Sequence, residues 1–564
     1  MKKTFAILFL ILSLILTGCS NNTNKPNKPN DANTESSQNT EAGQNSEEVG
    51  DSEDSQGSGN AGGSGNSGNA GNSGNAGNGG GSTNSGDSQC KSHKDDDLND
   101  LCDKCGVTLL VYVDFYTIND LHGKLADGDS HPGVDELSTY LTNAKRTDDY
   151  MFVLSAGDMW QGSAESNLTN GKIMTEWMNA MDFTAMTLGN HEYDWGETAI
   201  RENHQIAEFP FLAINIYDRS TNKLVDYCKP STVVSAGGLK IGIIGAMGDC
   251  YSSISPDKVK GVYFKTGDDL TKLVKDESDR LRKQGVDCIV YMIHDGYGQS
   301  NPGSVTSGQM KSYYDISLSG GYVDLVFEGH THQQYMFKDA YGVYHLQHKG
   351  DNYGGISHVE LAINSVTNMI RVNDASLVKT SVYSGLSDHP IVDQLLKKYD
   401  AQISPANKAL GTNGRYRRGD ELRQIVADLY YKVGVERWGD RYDIALGGGF
   451  ISVRSPYNLA AGSVTYAQLQ SLFPFDNDLV LCSIKGRDLI SRFFENNHED
   501  YFISYGSYGE SLRKNIDPNG TYYIIADTYS SQYAPNRLTE VERYDSGVYA
   551  RDLLAEYVKS GGLK

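Results

Sequence analysis

Residues 107 to 122 read VTLLVYVDFYTINDLH. The run up to Tyr116 is dominated by β-branched, aromatic and aliphatic side chains and is bounded by Gly106 and Asn119, so it predicts a buried strand that opens into a loop. Asp120 and His122 stand two apart just past the strand end. Loops held by a rigid scaffold are where sites are built. An isolated Asp-x-His describes a solvated loop equally well, so the rest of the chain has to decide.

Downstream, strand-like and amphipathic segments alternate: MFVLSAGD (151–158), GKIMTEWMNAM (171–181) and FTAMTLGNHEYDWG (183–196). That alternation predicts βαβ units and an α/β fold. Asp158 follows MFVLSAG, Asn190 and His191 follow AMTLG, His294 follows CIVYMI, and His330 and His332 follow YVDLVFEG. Any one of these is an ordinary cap or loop residue. Counting Asp120, five strand ends terminate in Asp, Asn or His, and strand C-termini of an α/β sheet converge on one edge. A shared site follows.

The ordered set Asp120-x-His122, Gly157-Asp158, Gly189-Asn190-His191-Glu192 with Asp194, His294 and Gly329-His330-Thr331-His332 resembles the calcineurin-like metallophosphoesterases. AGDMWQGSAESNLTNGK (156–172) and LGNHEYDWG (188–196) look more specifically like the 5'-nucleotidase branch, over about 107 to 375. The resemblance implies a layered α/β/β/α metallophosphoesterase domain (107–387), an interdomain helix (388–410) and a smaller mixed α/β C-terminal substrate-recognition domain (411–564). It implies two divalent cations, Zn or Mn from the His and carboxylate donors. Asp120, His122, Asp158 and His332 would hold one, and Asp158, Asn190, His294 and His330 the other. His332 stands where the family often has Gln. His191, oriented by Asp194, would stabilise the phosphoryl oxygens and leaving group, with a water held by the ions as nucleophile.

The second half resembles the family more loosely. DHPIVDQLLKKYDAQISPANKAL (388–410) has helical spacing of Ile391, Leu395, Leu396 and Tyr399. RYRRGDELRQIVAD (415–428) implies Arg418 and Arg415 near a phosphate, and GGGFISVRSPY (447–457) implies Arg454, since guanidinium forks suit phosphate. LFPFDND (472–478) resembles the family's Pro-Phe-Gly-Asn segment, which implies Phe475 as a candidate stacking face for a base and Asn477 as its hydrogen-bond partner, an aromatic in the core being the alternative. In ADTYSSQYAPNR (526–537) Tyr529 replaces the second aromatic, with Tyr533 a weaker candidate, while the Gly-Gly-Asp that contacts ribose in the family is absent.

The N-terminal 106 residues read differently. Lys2 and Lys3 precede an apolar stretch from Phe5 to Leu16 that is too short to span a bilayer, followed by Leu16-Thr17-Gly18-Cys19. This resembles a lipoprotein signal (1–19), with lipid on Cys19, an outward-facing location on a bacterial membrane, and membrane contact through the anchor only. Residues 20–89 are Asn, Gly, Ser and acidic residues with nothing to bury, which predicts a disordered tether averaging about 45 Å between its ends. It carries nine acidic and two basic side chains of a chain whose net charge is −22. Such a balance argues against nucleic-acid polymers, which need a basic footprint. It leaves small nucleotides open. In CKSHKDDDLNDLCDKCG (90–106), Cys90, His93, Cys102 and Cys105 have the spacing of a structural zinc site. A different ion on the Asp-rich centre, or a disulfide with one free thiol, is the alternative. Cys228, Cys250, Cys288 and Cys482 read as buried small residues.

The expected function is an exported phosphohydrolase acting on nucleotides, a 5'-nucleotidase with nucleotide-sugar or cyclic phosphodiester hydrolysis beside it. The competing readings are a metallophosphoesterase for a non-nucleotide ester and a surface binding lipoprotein that has lost catalysis. All seven expected ligands with His191 and Asp194 are present, which disfavours the last.

Overall fold

The computed structural model describes residues 90–127, 133–296, 322–339, 341–350, 355–454, 456–495, 501–505, 511–532, 538–544 and 547–564. The signal segment with Cys19, the 20–89 segment and Tyr533 lie outside the described residues.

Strands β1 (Leu110–Ile118), β2 (Met151–Ser155), β3 (Phe183–Thr187) and β4 (Phe211–Leu212) run parallel. A second sheet follows: β5 (Ser231–Ala236), β6 (Leu239–Met247), β7 (Cys288–His294), β8 (Leu325–Glu328), β9 (Tyr335–Lys338) and β10 (Tyr344–Gln347), in the order β9-β10-β8-β7-β6-β5. The chain then returns through β11 (Ile356–Asn364) and β12 (Ile370–Val378), giving the first sheet the order β12-β11-β1-β2-β3-β4. β11 pairs antiparallel with β1, Val113 facing Leu361, and β2 pairs parallel, Tyr116 facing Val153.

β1 begins three residues later than its apolar run suggests, because Val107 and Thr108 bond back to Cys102 and Leu101 instead. Its alternation then splits two cores. Val113 and Phe115 pack between the sheets with Leu154, Ile243, Val290 and Phe327. Tyr116 and Ile118 face helices α1 (Asp135–Thr147) and α2 (Lys172–Ala180), where Trp160 and Trp177 are fully buried. On the far side α3 (Asp268–Lys283) lays Leu270, Val274 and Leu281 over Ile244, Ile289 and Tyr291. The result is α/β/β/α layering, as expected. Strands buried on both faces read as continuous apolar runs, which is why β1 and β7 were visible in the sequence.

The expected interdomain helix is shorter than 388–410. α4 spans Pro390–Lys398, and Asp400–Ile403 and Ser404–Asn407 are separate short turns, with Pro405 unable to continue a helix. Lys398 bonds Glu176 on α2 at 2.6 Å, seating α4 on the first layer. Beyond it, α5 (Gly419–Trp438) packs Leu422, Val426 and Tyr430 against a mixed sheet. That sheet holds β13 (Ile444–Phe450), β14 (Leu479–Lys485), β15 (Tyr501–Ser504), β16 (Thr521–Asp527) and β17 (Thr539–Arg543), in the order β15-β13-β16-β14-β17. The two lobes meet at Asp257, which accepts from Gln532 at 2.7 Å and from Arg543 at 3.1 Å. Cys228, Cys250, Cys288 and Cys482 are buried free thiols, matching their sequence reading.

Candidate active site

The ends of β1, β2, β3, β7 and β8 converge, and all seven expected ligands meet there. Asp158 Oδ2 lies 3.0 Å from His294 Nε2, and His294 Nε2 lies 3.2 Å from Asn190 Oδ1. Asp120 Oδ1 is 3.4 Å from His332 Nε2, which is 3.1 Å from His122 Nε2. Donor atoms of Asp120, His122 and His332, and those of Asp120, Asp158 and His294, each lie within 4.8 Å of one another. His330 joins through Cys250 and His294. His294 is the last residue of β7 itself, one position inside the expected loop.

The local backbone is forced into this geometry. Asp120, His122, Asp158, His330 and His332 all have positive φ, between 51° and 74°. For residues with a Cβ that conformation costs roughly 1–3 kcal/mol each and persists only where surroundings over-determine it. Here the His330 amide donates to both Asp120 oxygens, at 3.0 and 2.9 Å, and the His122 amide to the Asp158 carbonyl at 3.0 Å. A Cβ on Gly189 would stand 2.2 Å from Asp158 Oδ1, so the Gly-Asn-His loop tolerates nothing larger.

Support behind the ligands fixes their tautomers. His294 Nδ1 donates to the Ala156 carbonyl at 2.7 Å and His122 Nδ1 to the Gln161 carbonyl at 2.8 Å, turning both Nε2 atoms to the centre. Burial raises the Asp158 carboxyl, but His294, His191 and His122 overcome this and hold it well below the usual range. Burial holds the His330 imidazole down, to about 4, so it presents a neutral nitrogen. Ionised buried carboxylates with imidazoles and an amide oxygen are the donor chemistry of divalent ions.

His191 donates from Nδ1 to Asp194 Oδ2 at 2.8 Å, and its amide donates to Asp158 Oδ1 at 2.8 Å. Above it lies a cavity of about 350 Å³. Asp158, Asn190, His191, His330 and His332 line its floor, and Arg454, Phe475, Asn477 and Tyr529 line its other wall. Arg454 sits 5.3 Å over the Phe475 ring, and Phe475 lies 5.8 Å from the His191 ring. Arg415 and Arg418 do not join them: both are exposed, Arg415 pairing with Glu421 at 2.6 Å and Arg418 heading α5.

Three contributors were given no role by the sequence reading. Glu192 is fully buried and accepts the amides of Asp158, Met159 and Gly189 at 2.9, 2.8 and 2.7 Å. Its signal was the capping-box spacing, Glu three positions after Gly189. Asn119 donates to Asp120 Oδ2 at 2.6 Å and to the His348 carbonyl at 2.9 Å, with no local signal. Phe450 lines the cavity beside Tyr529, ring centres 5.7 Å apart.

Residues 114–334 match the family model for calcineurin-like phosphoesterases, so the fold and this site define a hydrolase acting on phosphate esters. Protein UshA of Yersinia enterocolitica is 26% identical over 392 residues, covering 60% of this chain and 67% of that protein. A snake venom 5'-nucleotidase of Gloydius brevicauda is 24% identical over 417 residues, 67% of each chain. A solved 5'-nucleotidase precursor from Thermus thermophilus shares the fold at TM-score 0.60 and 18% identity, over 80% of this chain and 96% of its own. Over 60–67% of its length the chain is thus similar to UshA and 5'-nucleotidase proteins.

Proposed function

We propose that the protein is a dinuclear-metal phosphohydrolase that removes phosphate from small nucleotides, with nucleotide-sugar or cyclic phosphodiester cleavage as secondary activities. The observation that carries this reading is the single cavity shared by the ligand cluster and by Arg454, Phe475, Asn477 and Tyr529. Asp120, His122, Asp158 and His332 would hold one Zn or Mn ion, and Asp158, Asn190, His294 and His330 the other. When bound, such a pair neutralises phosphoryl oxygens and makes a water acidic enough to attack near neutral pH.

The chain's own residues do the rest. Asp194 fixes the His191 ring so that Nε2 faces the cavity, where the ring, once protonated, can donate to a phosphoryl oxygen or protonate the leaving one. Arg454 supplies the cation that orients the anionic substrate, and Phe475 and Tyr529 offer faces for a base, with Asn477 reading its edge. The Lys-then-apolar leader and Leu-Thr-Gly-Cys19 support export and lipid anchoring on the outer membrane face, where the substrate would be met. Phosphate release from AMP, UDP-glucose, cyclic nucleotides and an aryl phosphate, each with and without Mn or Zn, tests the reading. Turnover of the aryl phosphate alone would assign a non-nucleotide ester, and no turnover with either metal would end it.

A further inference from the structure

Cys90, His93, Cys102 and Cys105 take no part in the phosphoesterase site. We propose that these four side chains hold a structural zinc ion that closes the 90–106 loop, which its carboxylates tie to the β11–β12 hairpin. Their ligand atoms all lie within 4.8 Å of one another. Cys90 Sγ is 3.7 Å from Cys102 Sγ, and Cys105 Sγ is 3.7 Å from His93 Nδ1. Zn–S bonds of about 2.3 Å and Zn–N bonds of about 2.0–2.1 Å at tetrahedral angles put ligand atoms about 3.5–3.8 Å apart. Both measured separations are edges of that tetrahedron. All three thiols are free.

The backbone is shaped for a thiolate. The amides of Cys105 and Gly106 turn back to the Cys102 carbonyl at 3.2 and 2.7 Å, the tight turn a C-x2-C pair needs. The Cys102 side chain at the head of that turn is only 2% exposed.

The Asp-rich centre is engaged elsewhere, which removes it as a rival cation cage. Asp95 accepts the amides of Asn99 and Asp100 at 3.0 and 3.2 Å and Asn364 Nδ2 at 2.7 Å. Asp103 accepts the Asp96 amide at 2.8 Å. Asp100 accepts from Asn364 at 3.0 Å and pairs with Arg371. These carboxylates shape the loop and tie it to β11 and β12. Apolar burial cannot hold so small a motif, since Leu98 and Leu101 are 54% and 45% exposed. A metal can, and it would keep the segment leading into β1 from fraying.

The test uses the full chain purified with reductant and then freed of it. Cobalt(II) loading of the wild type is expected to give thiolate-to-cobalt charge-transfer absorption, which Asp158→Asn keeps and Cys102→Ser and Cys105→Ser abolish. Zinc by elemental analysis is expected to fall by one equivalent per chain in either Cys variant. In the unmutated protein, alkylation of Cys90, Cys102 and Cys105 should be slowed about tenfold or more until a chelator is added. A Cys90–Cys102 or Cys102–Cys105 disulfide found by mass spectrometry in zinc-supplemented protein overturns the proposal. So does zinc content unchanged by Cys102→Ser, or alkylation indifferent to chelator. Unmutated protein that shows the cobalt band but releases no phosphate from any ester would count against the phosphohydrolase reading alone.

Discussion

Arg454 Nη2 donates to His191 Nε2 across 3.1 Å, joining the two lobes through residues 263 positions apart. His191 Nε2 can accept because Nδ1 already faces Asp194. Arg454→Ala should therefore leave the imidazole oriented and remove the substrate's cation. We expect kcat/KM for AMP to fall about 10- to 100-fold, chiefly through KM, as a charge-assisted hydrogen bond worth about 1.5–3 kcal/mol is lost. Arg454→Lys should recover only part, since the planar fork is gone. Steady-state kinetics with unchanged KM would refute the assignment.

His191→Ala removes the group aimed at the substrate without touching an expected ligand. Turnover should drop by about 10²- to 10⁴-fold while both metals stay bound, and Asp194→Asn should lose less. Full turnover at full metal content, by kinetics and elemental analysis, would contradict the role.

Glu192 is a positioning residue whose carboxylate gathers the β2 and β3 loops. Glu192→Gln turns an N–H toward amides that need an acceptor. Metal affinity should weaken about 10- to 100-fold, as for other outer-shell partners. Titration of metal-free protein reads this, and an unaltered Kd would sink it.

Gly189→Ala places a Cβ 2.2 Å from Asp158 Oδ1, against a loop with no slack. We expect loss of bound metal and at least about a 100-fold fall in kcat, comparable to removing an outer-shell support altogether. Wild-type activity at normal metal content would show that the loop can move aside.

Asp135, in the first turn of α1, is pushed up to about 7 by burial and by the neighbouring Asp127, Asp388, Asp393 and Glu136. Unfolded, it titrates near 4. Between about pH 4 and pH 7 the native state holds the extra proton, so this group's contribution to stability falls as pH rises through that window. Asp135→Asn should flatten the decline and raise Tm at pH 8 by a few degrees, with little change at pH 4. Parallel melting curves across that range for the two proteins would contradict this.

The metal cluster was legible because each ligand ends an apolar run, and a run buried on both faces is visible without knowing what covers it. Asp120 and Asp158 could be aligned at one sheet edge from βαβ order alone, whereas His330 follows β8 of the second sheet and meets them only because the two sheets pack face to face. The substrate wall was not legible in the same way. Arg415, Arg418 and Arg454 look alike in sequence, yet only Arg454 reaches the cavity, while Arg415 spends its charge on Glu421 at the surface. Which of three guanidiniums faces inward depends on how a second lobe is docked, and no local pattern carries that.

By itself, then, the amino-acid order determined the α/β alternation, the residue types at the strand ends and the Cys-His-Cys-Cys spacing of a candidate knuckle, all consequences of spacing within short segments, while the layering was implied by the family resemblance. Tertiary structure alone decided that Glu192 is a buried clamp, that Asn119 braces Asp120, and that five ligands sit at positive φ. The reason is physical: periodicity reports which side of an element is buried, whereas a hydrogen bond between distant segments, or a strained backbone held by one, exists only once packing has brought both partners together.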